Sequence, residues 1–351
     1  MPELSVVIPS YNHAAFIADA VESVLGQTHH DLELIVVDDG SADESLSVLS
    51  RFGDARLRVL AQENRGAHAA INRGLAEARG DYLAVLNSDD VFHPQRFKTM
   101  LPALRANPRI GLIASHVEVI DREGRSLGIK HGYRDLEPWL LERPERSFRA
   151  TDDLRAVLLT ENYLATTSNY LFTRQCHERV GAFRPLRYAH DWDFALRVMR
   201  QADIGLVPEA LVRYRVHSGN TIRENQAAMI FEVCWILAVH LPHATSSSWF
   251  TALPAAERTE RLLQSIYTFQ CQQVLAAMLA QRLADDPARA EALLEPHNPE
   301  RAHYLEFIVS RLGARGQATT PTPVGGIARP WLARMALKAR RILAAQRAIT
   351  W

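Results

Sequence analysis

"LELIVVDDGSAD" (Leu32 to Asp43) is the stretch on which the fold turns. Leu32 to Val37 is a short, nearly continuous apolar run, the pattern of a strand covered on both faces. It ends abruptly in Asp38-Asp39, where Gly40 permits a tight exit and Ser41 is placed to cap a helix from about Ser41 to Phe52. The same unit recurs around it. "LSVVIPS" (Leu4 to Ser10) leads into a helical stripe of Phe16, Ile17, Ala20, Val21, Val24 and Leu25. "RLRVLAQ" (Arg56 to Gln62), a helix near Ala67 to Ala78, and "DYLAVLN" (Asp81 to Asn87) follow. Apolar strands between amphipathic helices predict an α/β fold, a Rossmann-like, mostly parallel central sheet flanked by helices. In such sheets ligands bind beyond the carboxyl ends of the strands. The residues to inspect are therefore Pro9-Ser10-Tyr11-Asn12, Asp38 to Ser41, Gln62 to Arg65, and Asn87-Ser88-Asp89-Asp90.

Composition narrows the class. The 351 residues are 47% hydrophobic and 23% charged, which is globular rather than disordered. Lys+Arg and Asp+Glu both number 40, so no global field recruits nucleic acid. Cys176, Cys234 and Cys271 lack metal or redox spacing and suit buried, reduced thiols in a cytoplasmic protein. No secretory signal is visible. The longest apolar candidate, Ala227 to Leu241, is interrupted by Glu232 and His240, short of a membrane span.

Beyond Pro94 the sequence predicts a helix, then strand and hairpin in "IGLIASHVEVID" with a turn at Arg122-Glu123-Gly124. Residues 130–150 read as a loop, where Trp139 suits either stacking on a ligand or a core. "TSNYLFTR" reads as a strand, "HDWDFALRVMRQ" as a helix and "IGLVPEALVRYRVH" as paired strands. The expected division is an α/β domain over 1–222, a helical extension over 223–313, a linker over 314–328 and a basic amphipathic tail over 329–351. In that tail Trp331, Met335, Ile342 and Ile349 share a helical face. It suits an anionic membrane surface or packing on the body of the protein.

The acids at the strand ends carry the chemistry. A magnesium or manganese ion bridging a diphosphate needs one or two protein carboxylates, a role that Asn87-x-Asp89 fits, while Asp90 suits turn structure. Asp191 and Asp193 open a helix, where carboxylates are favoured by its dipole. Two positions apart, they point in different directions, so at most one faces a given site. His217, before Gly219, suits a metal or phosphate contact, or packing.

In order, "VVIPSYN", "VVDDGSAD", "ENRGAHAAINRGL", "GDYLAVLNSDD", "GAFRPLRYAHDWDFALRV" and "YRVHSGNT" resemble the inverting glycosyltransferases of family 2, with the GT-A fold. The resemblance covers residues 4–221 and does not extend to 225–351. It implies that the Pro9-Ser10-Tyr11 turn holds a nucleotide base with Asp38 beside it. Asp39 would accept the N3–H of uracil or thymine, with Asn64 and Arg65 lining the same pocket. Asn87-Ser88-Asp89 takes the D-x-D position; Asn87 and Ser88 would touch the donor, and Asp89 would bind Mn2+ or Mg2+. His217 would complete the metal or diphosphate site, and Asp191 would be the general base.

Two departures stand out. Asn87 replaces the first acid of D-x-D and is a poorer metal ligand. His190 stands where relatives often carry glutamate; as a cation it would lower the pKa of Asp191. The function implied is metal-dependent inverting transfer of a sugar from a nucleotide diphosphate sugar, of UDP or dTDP type. The acceptor would be a glycan or lipid-linked saccharide in polysaccharide, O-antigen or other glycoconjugate assembly. A homo-oligomer and a peripheral position at the inner face of the plasma membrane are further expectations. The alternative is a catalytically idle nucleotide-sugar-binding or scaffolding member of the same fold. A phospho-acceptor receiver domain accounts only for "VVDD".

Overall fold

The structure, a computed structural model, describes residues 1–130, 154–159, 162–220, 224–265 and 271–316. The expected loop over 130–150, with Trp139, and the tail over 329–351 lie outside the described residues, except for Lys130. Nine strands form one sheet in the order β3-β2-β1-β4-β8-β6-β9-β5, with β7 paired to β6. Its first part is the parallel unit read from the sequence: β1 (Leu4–Ser10), β2 (Leu32–Asp38), β3 (Leu57–Ala61) and β4 (Tyr82–Val85). Every residue of β1 and of β2 is buried, as continuous apolar runs require. The helices α1 (Ile17–Leu25), α2 (Ser45–Leu49) and α3 (Ala67–Glu77) connect them.

Two local details differ from expectation. Helix α2 begins only at Ser45, because Asp43 turns its carboxylate onto the Ser45 N–H and hydroxyl. Ser41 caps nothing there; its Oγ accepts from the Asn12 N–H. Close packing of α3 on β1 depends on Gly74, where a Cβ would meet Val7 Cγ1 at 2.3 Å.

The second part is mixed. β5 (Val91–Phe92) precedes α4 (Arg96–Ala106), and β6 (Ile110–Ile120) turns into β7 (Ser126–Lys130). After α5 (Leu154–Leu158), β8 (Leu171–Thr173) runs antiparallel to β4 and to β6. α6 (Arg174–Val180) and α7 (His190–Met199) lead to β9 (Asp203–Arg215). β9 is one strand parallel to β6, not two paired strands. Its register jumps from Ser115↔Val207 to His116↔Ala210, so Pro208 and Glu209 bulge out. A proline that donates no ladder hydrogen bond is tolerated at such a bulge.

The remaining described chain is helical: α8 (Gln226–Thr245), α9 (Ser248–Thr251), α10 (Ala255–Ser265), α11 (Gln272–Ala280), α12 (Pro287–Ala292) and α13 (Pro299–Gly316). Residues Met1–Val309 make one compact unit. Helix α8 is long and apolar enough to cross a membrane, yet 72% of its apolar window is buried inside this unit. Its two polar interruptions, Glu232 and His240, both find partners below. All three cysteines are buried, and none forms a disulfide among the described residues.

Candidate active site

The carboxyl edges of β1, β2, β4 and β9 open into a cleft of about 1110 Å³. Pro9, Tyr11, Asp39, Asn64, Arg65, Asn87, Ser88, Asp89, Asp191 and His217 all line it. Asp38 does not. Its carboxylate faces inward, 1% exposed, and Oδ1 accepts from the Ser41 N–H at 3.0 Å. Register explains this: successive strand residues point to opposite faces, so only one of two adjacent acids reaches the cleft.

Asp39 is that acid, and it is heavily engaged. Oδ1 accepts from Gln62 Nε2 at 2.7 Å and from the Arg65 N–H at 2.9 Å; Oδ2 accepts from the Gly66 N–H at 2.8 Å. A carboxylate offers about four acceptor positions, so one is left for a ligand. Asp39 therefore also fastens the loop that carries Asn64 and Arg65. Gly40, at φ +78°, makes this approach possible: a Cβ there would sit 3.0 Å from the Asn64 nitrogen.

At the end of β4 the two aspartates separate in the same way. Asp90 is fully buried, accepting from the Arg215 N–H at 2.9 Å and from Ser168 Oγ at 2.5 Å. Burial, then the neighbouring Asp89 charge, push its carboxyl well above the usual range, against the opposing pull of Ser168 and Arg215. It is a structural acid. Asn87 donates its amide Nδ2 to Thr166 Oγ1 at 2.9 Å and its backbone N–H to Ser168 Oγ at 2.9 Å.

Asp89 projects into the cleft, with Oδ2 3.0 Å from His217 Nε2. His13, which sequence reasoning missed, brings a third ligand atom; one atom each from His13, Asp89 and His217 all lie within 4.8 Å of one another. Two cis ligands of an octahedral divalent cation at about 2.2 Å stand about 3 Å apart, so the Asp89–His217 spacing fits a shared ion. One carboxylate with two imidazoles suits manganese better than magnesium, which prefers oxygen. His13 also contacts Ser88 Oγ through Nδ1 at 2.7 Å. Its signal was its place in "PSYNH", one residue beyond the turn already singled out.

Helix α7 presents its two acids in opposite directions. Asp191 lines the cleft, 7% exposed, accepting from Asn162 Nδ2 at 2.9 Å and from the Trp192 N–H at 2.7 Å. Burial raises its pKa, and the His190 charge and these hydrogen bonds only partly offset that. The effect expected of His190 is present but is not the largest. Asp193 is wholly buried against Arg184 Nη1, Arg197 Nε and His240 Nε2, each at 2.9 Å. Burial alone would raise its pKa, but the His240 bond and the Arg197 and Arg184 charges hold it well below the usual range.

Helix α7 has no side-chain cap of its own; the segment that leads into it is anchored from α8. Glu232 accepts from the Arg187 N–H at 2.9 Å, the Tyr188 N–H at 2.7 Å and the Ala189 N–H at 3.0 Å. The helical extension thus holds the backbone that delivers His190 and Asp191. No local motif marks Glu232, because its partners lie 43 to 45 residues away.

The architecture recurs in solved structures. The mannosyltransferase PcManGT from Pyrobaculum calidifontis, in complex with GDP-Man and Mn2+, matches with a TM-score of 0.54 at 18% identity, over 89% of this chain and 86% of that one. S. aureus TarS 1-349 in complex with UDP-GlcNAc matches with a TM-score of 0.58 at 17% identity, over 91% and 93% of the two chains. These likenesses define the class: the chain has the GT-A glycosyltransferase fold.

Sequence then places it more closely. The model of glycosyl transferase family 2 matches residues 5–181, and the chain belongs to that family. An uncharacterized glycosyltransferase of Rickettsia prowazekii is 28% identical over 222 residues, 63% of this chain and 66% of that protein. The succinoglycan biosynthesis protein ExoO of Rhizobium meliloti is 39% identical over 129 residues, 36% of each chain. The match thus spans a little under two thirds of the Rickettsia relative's length.

Proposed function

We propose that the chain is a metal-assisted, inverting glycosyltransferase that moves a sugar from a nucleotide diphosphate sugar to a hydroxyl acceptor. The carrying observation is Asp191: a cleft-facing carboxylate with a raised pKa, in the same cleft as the Asp89, His217 and His13 cluster. A base whose pKa is lifted towards neutrality takes a proton more readily while still ionised.

In this reading Asp39, Asn64 and Arg65 hold the nucleotide base beside Tyr11, and Asp89, His217 and His13 hold the cation. A bound Mn2+ or Mg2+ supplies positive charge that neutralises the departing diphosphate. Asp191 takes the acceptor hydroxyl proton while that oxygen bonds to the anomeric carbon and the carbon–diphosphate oxygen bond breaks on the opposite face. One displacement of this kind inverts the anomeric centre. The free acceptor position on Asp39 supports a uracil- or thymine-type base through its N3–H. Similarity to ExoO supports an acceptor in polysaccharide assembly, and a cytoplasmic site of action accords with cysteines that are buried thiols.

A thermal-shift screen of UDP-, dTDP- and GDP-sugars, with manganese and with EDTA, tests donor and metal together. A uridine or thymidine donor should stabilise the chain most, and more with manganese. Stabilisation by GDP-sugars alone would overturn the base assignment. Asp191→Asn should keep the donor-induced shift and lose transfer; full transfer in that variant removes the base. Donor binding without transfer to any acceptor, in the unaltered chain, would leave the catalytically idle reading.

A further inference from the structure

Asp191 receives one side-chain hydrogen bond among the described residues, the 2.9 Å bond from Asn162 Nδ2 to Oδ2. Its other oxygen takes the Trp192 N–H, a bond that the helix itself supplies. Asn162 is placed by a tight turn. The Ala165 N–H donates to the Asn162 carbonyl at 3.2 Å, and the two central residues, Tyr163 and Leu164, are buried. Ala165 lines the cleft and closes that turn at φ +71°, in the left-handed region that a residue with a Cβ rarely adopts. Strain of this kind persists where its surroundings over-determine it, and it concentrates at functional sites. Here the next residues fasten the turn. Thr166 Oγ1 accepts from Asn87 Nδ2 at 2.9 Å, Thr167 Oγ1 lies 3.2 Å from His190 Nε2, and Ser168 Oγ accepts from the Asn87 N–H at 2.9 Å. One short segment thus holds Asn87 at the end of β4 together with His190 and Asp191 at the head of α7.

The amide of Asn162 is bonded at one end only. Its Oδ1 is buried without a partner, so no scaffold contact at that end fixes which way the amide faces. The carboxylate fixes it. With Asp191 ionised, Nδ2 has to face Oδ2, since the reversed amide would set two acceptors against each other. Each Asp191 oxygen keeps an acceptor position beyond these bonds, enough to take a hydroxyl proton. The other groups around Asp191 do not orient its oxygens. Tyr170 donates its hydroxyl to the Asp191 backbone carbonyl at 2.9 Å, His190 acts through its charge, and Glu232 binds the backbone before the helix. His68 on α3 and Glu232 on α8 in turn feel the His190 charge. Burial raises the Asp191 pKa, against the His190 charge, the Trp192 N–H and the Asn162 amide.

We propose that Asn162 is a positioning residue for the catalytic base, holding the Asp191 carboxylate in one orientation from the strained turn. The inference rests on the reading of Asp191 as the general base.

The test sets Asn162→Leu, which keeps the bulk and removes the donor, beside Asp191→Asn in the full chain. The isotope-labelled Asp191 carboxyl resonance, identified by its loss in D191N and followed in EDTA, gives the titration midpoint without any substrate. Release of nucleoside diphosphate, with manganese and with water as the acceptor, gives kcat and KM; its donor is whichever UDP-, dTDP- or GDP-sugar stabilises the chain most. In N162L the midpoint and the acidic limb of kcat should both move to higher pH, because the amide bonds the ionised carboxylate more strongly than the protonated one. kcat should fall on the order of tenfold while donor KM holds. A resonance and a kcat both unchanged in N162L, with D191N inactive, would overturn the proposal and leave the base reading intact. A lower kcat with an unmoved acidic limb and a matching loss of melting temperature would make Asn162 a structural residue and overturn it too. Release by D191N as fast as by the unaltered chain would remove the base reading, and the proposal with it. If N162L fails to fold by circular dichroism, Asn162→Ala takes its place with the same expectations.

Discussion

At the end of β4 and at the head of α7 the chain carries two acidic pairs, and each sends one acid into the cleft and buries the other. The means of burial differ. Asp90 is surrounded by a hydroxyl and a backbone N–H, and its carboxyl is pushed upward. Asp193 is surrounded by two guanidiniums and an imidazole, and its carboxyl is held down. The same side chain is thus favoured in its neutral form in one place and ionised in the other. Full burial does not by itself fix an aspartate's charge; the groups around it do.

The largest expected effect separates cleft from core within α7. Asp191→Asn should lower transfer about 10²- to 10⁴-fold with little change in melting temperature. A comparable loss of stability would mean that Asp191, too, is a structural acid. Asp193→Ala should do the converse, leaving Arg184, Arg197 and His240 buried beside an empty position. Denaturant unfolding should show a cost of about 3–5 kcal/mol.

A smaller effect tests the tie between α8 and α7. Glu232→Gln keeps the shape but weakens three charge-assisted bonds, at a cost of about 1–3 kcal/mol. If Glu232 positions Asp191, kcat should fall more than donor affinity, and the acidic limb of the pH profile should move. An effect on melting alone would leave it a structural cap.

The smallest effect contrasts the buried acids by pH. The stability contributed by Asp193, whose folded pKa is depressed, is present above 3.8 and is lost as pH falls through the folded value. Asp90 has a raised folded pKa; its contribution is full below 3.8 and is lost as pH rises through the folded value. Asp90→Asn should therefore cost about 1 kcal/mol in acid and less as the pH rises. A difference that does not change with pH would show that Asp90 titrates normally.

Much of this was legible in the chain. Apolar runs marked β1, β2 and β4, and their polar ends marked the cleft, because strand ends and ligand sites coincide in parallel sheets. The spacing of Asp191 and Asp193 already required that they part. What the sequence could not convey was which member of Asp38-Asp39 faces outward, since that depends on strand register. Nor could it pair Asn162 with Asp191, or Glu232 with residues 187–189, because such bonds join segments that meet only in the folded chain. "IGLVPEALVRYRVH" reads as paired strands where the structure has one bulged strand, because proline breaks ladders in both settings.

Glu232 also bears on how this chain can be exchanged with its relatives. The family match ends at residue 181, before Asp191, His217 and the helix that carries Glu232. A chimaera joined near residue 222, with the C-terminal helices of another family member, would keep every cleft residue named above. It would nonetheless release three backbone N–H groups next to Asp191 unless the new helix supplied a carboxylate at the same point. The extension is therefore not a freely interchangeable attachment; the two parts of the chain have to change together.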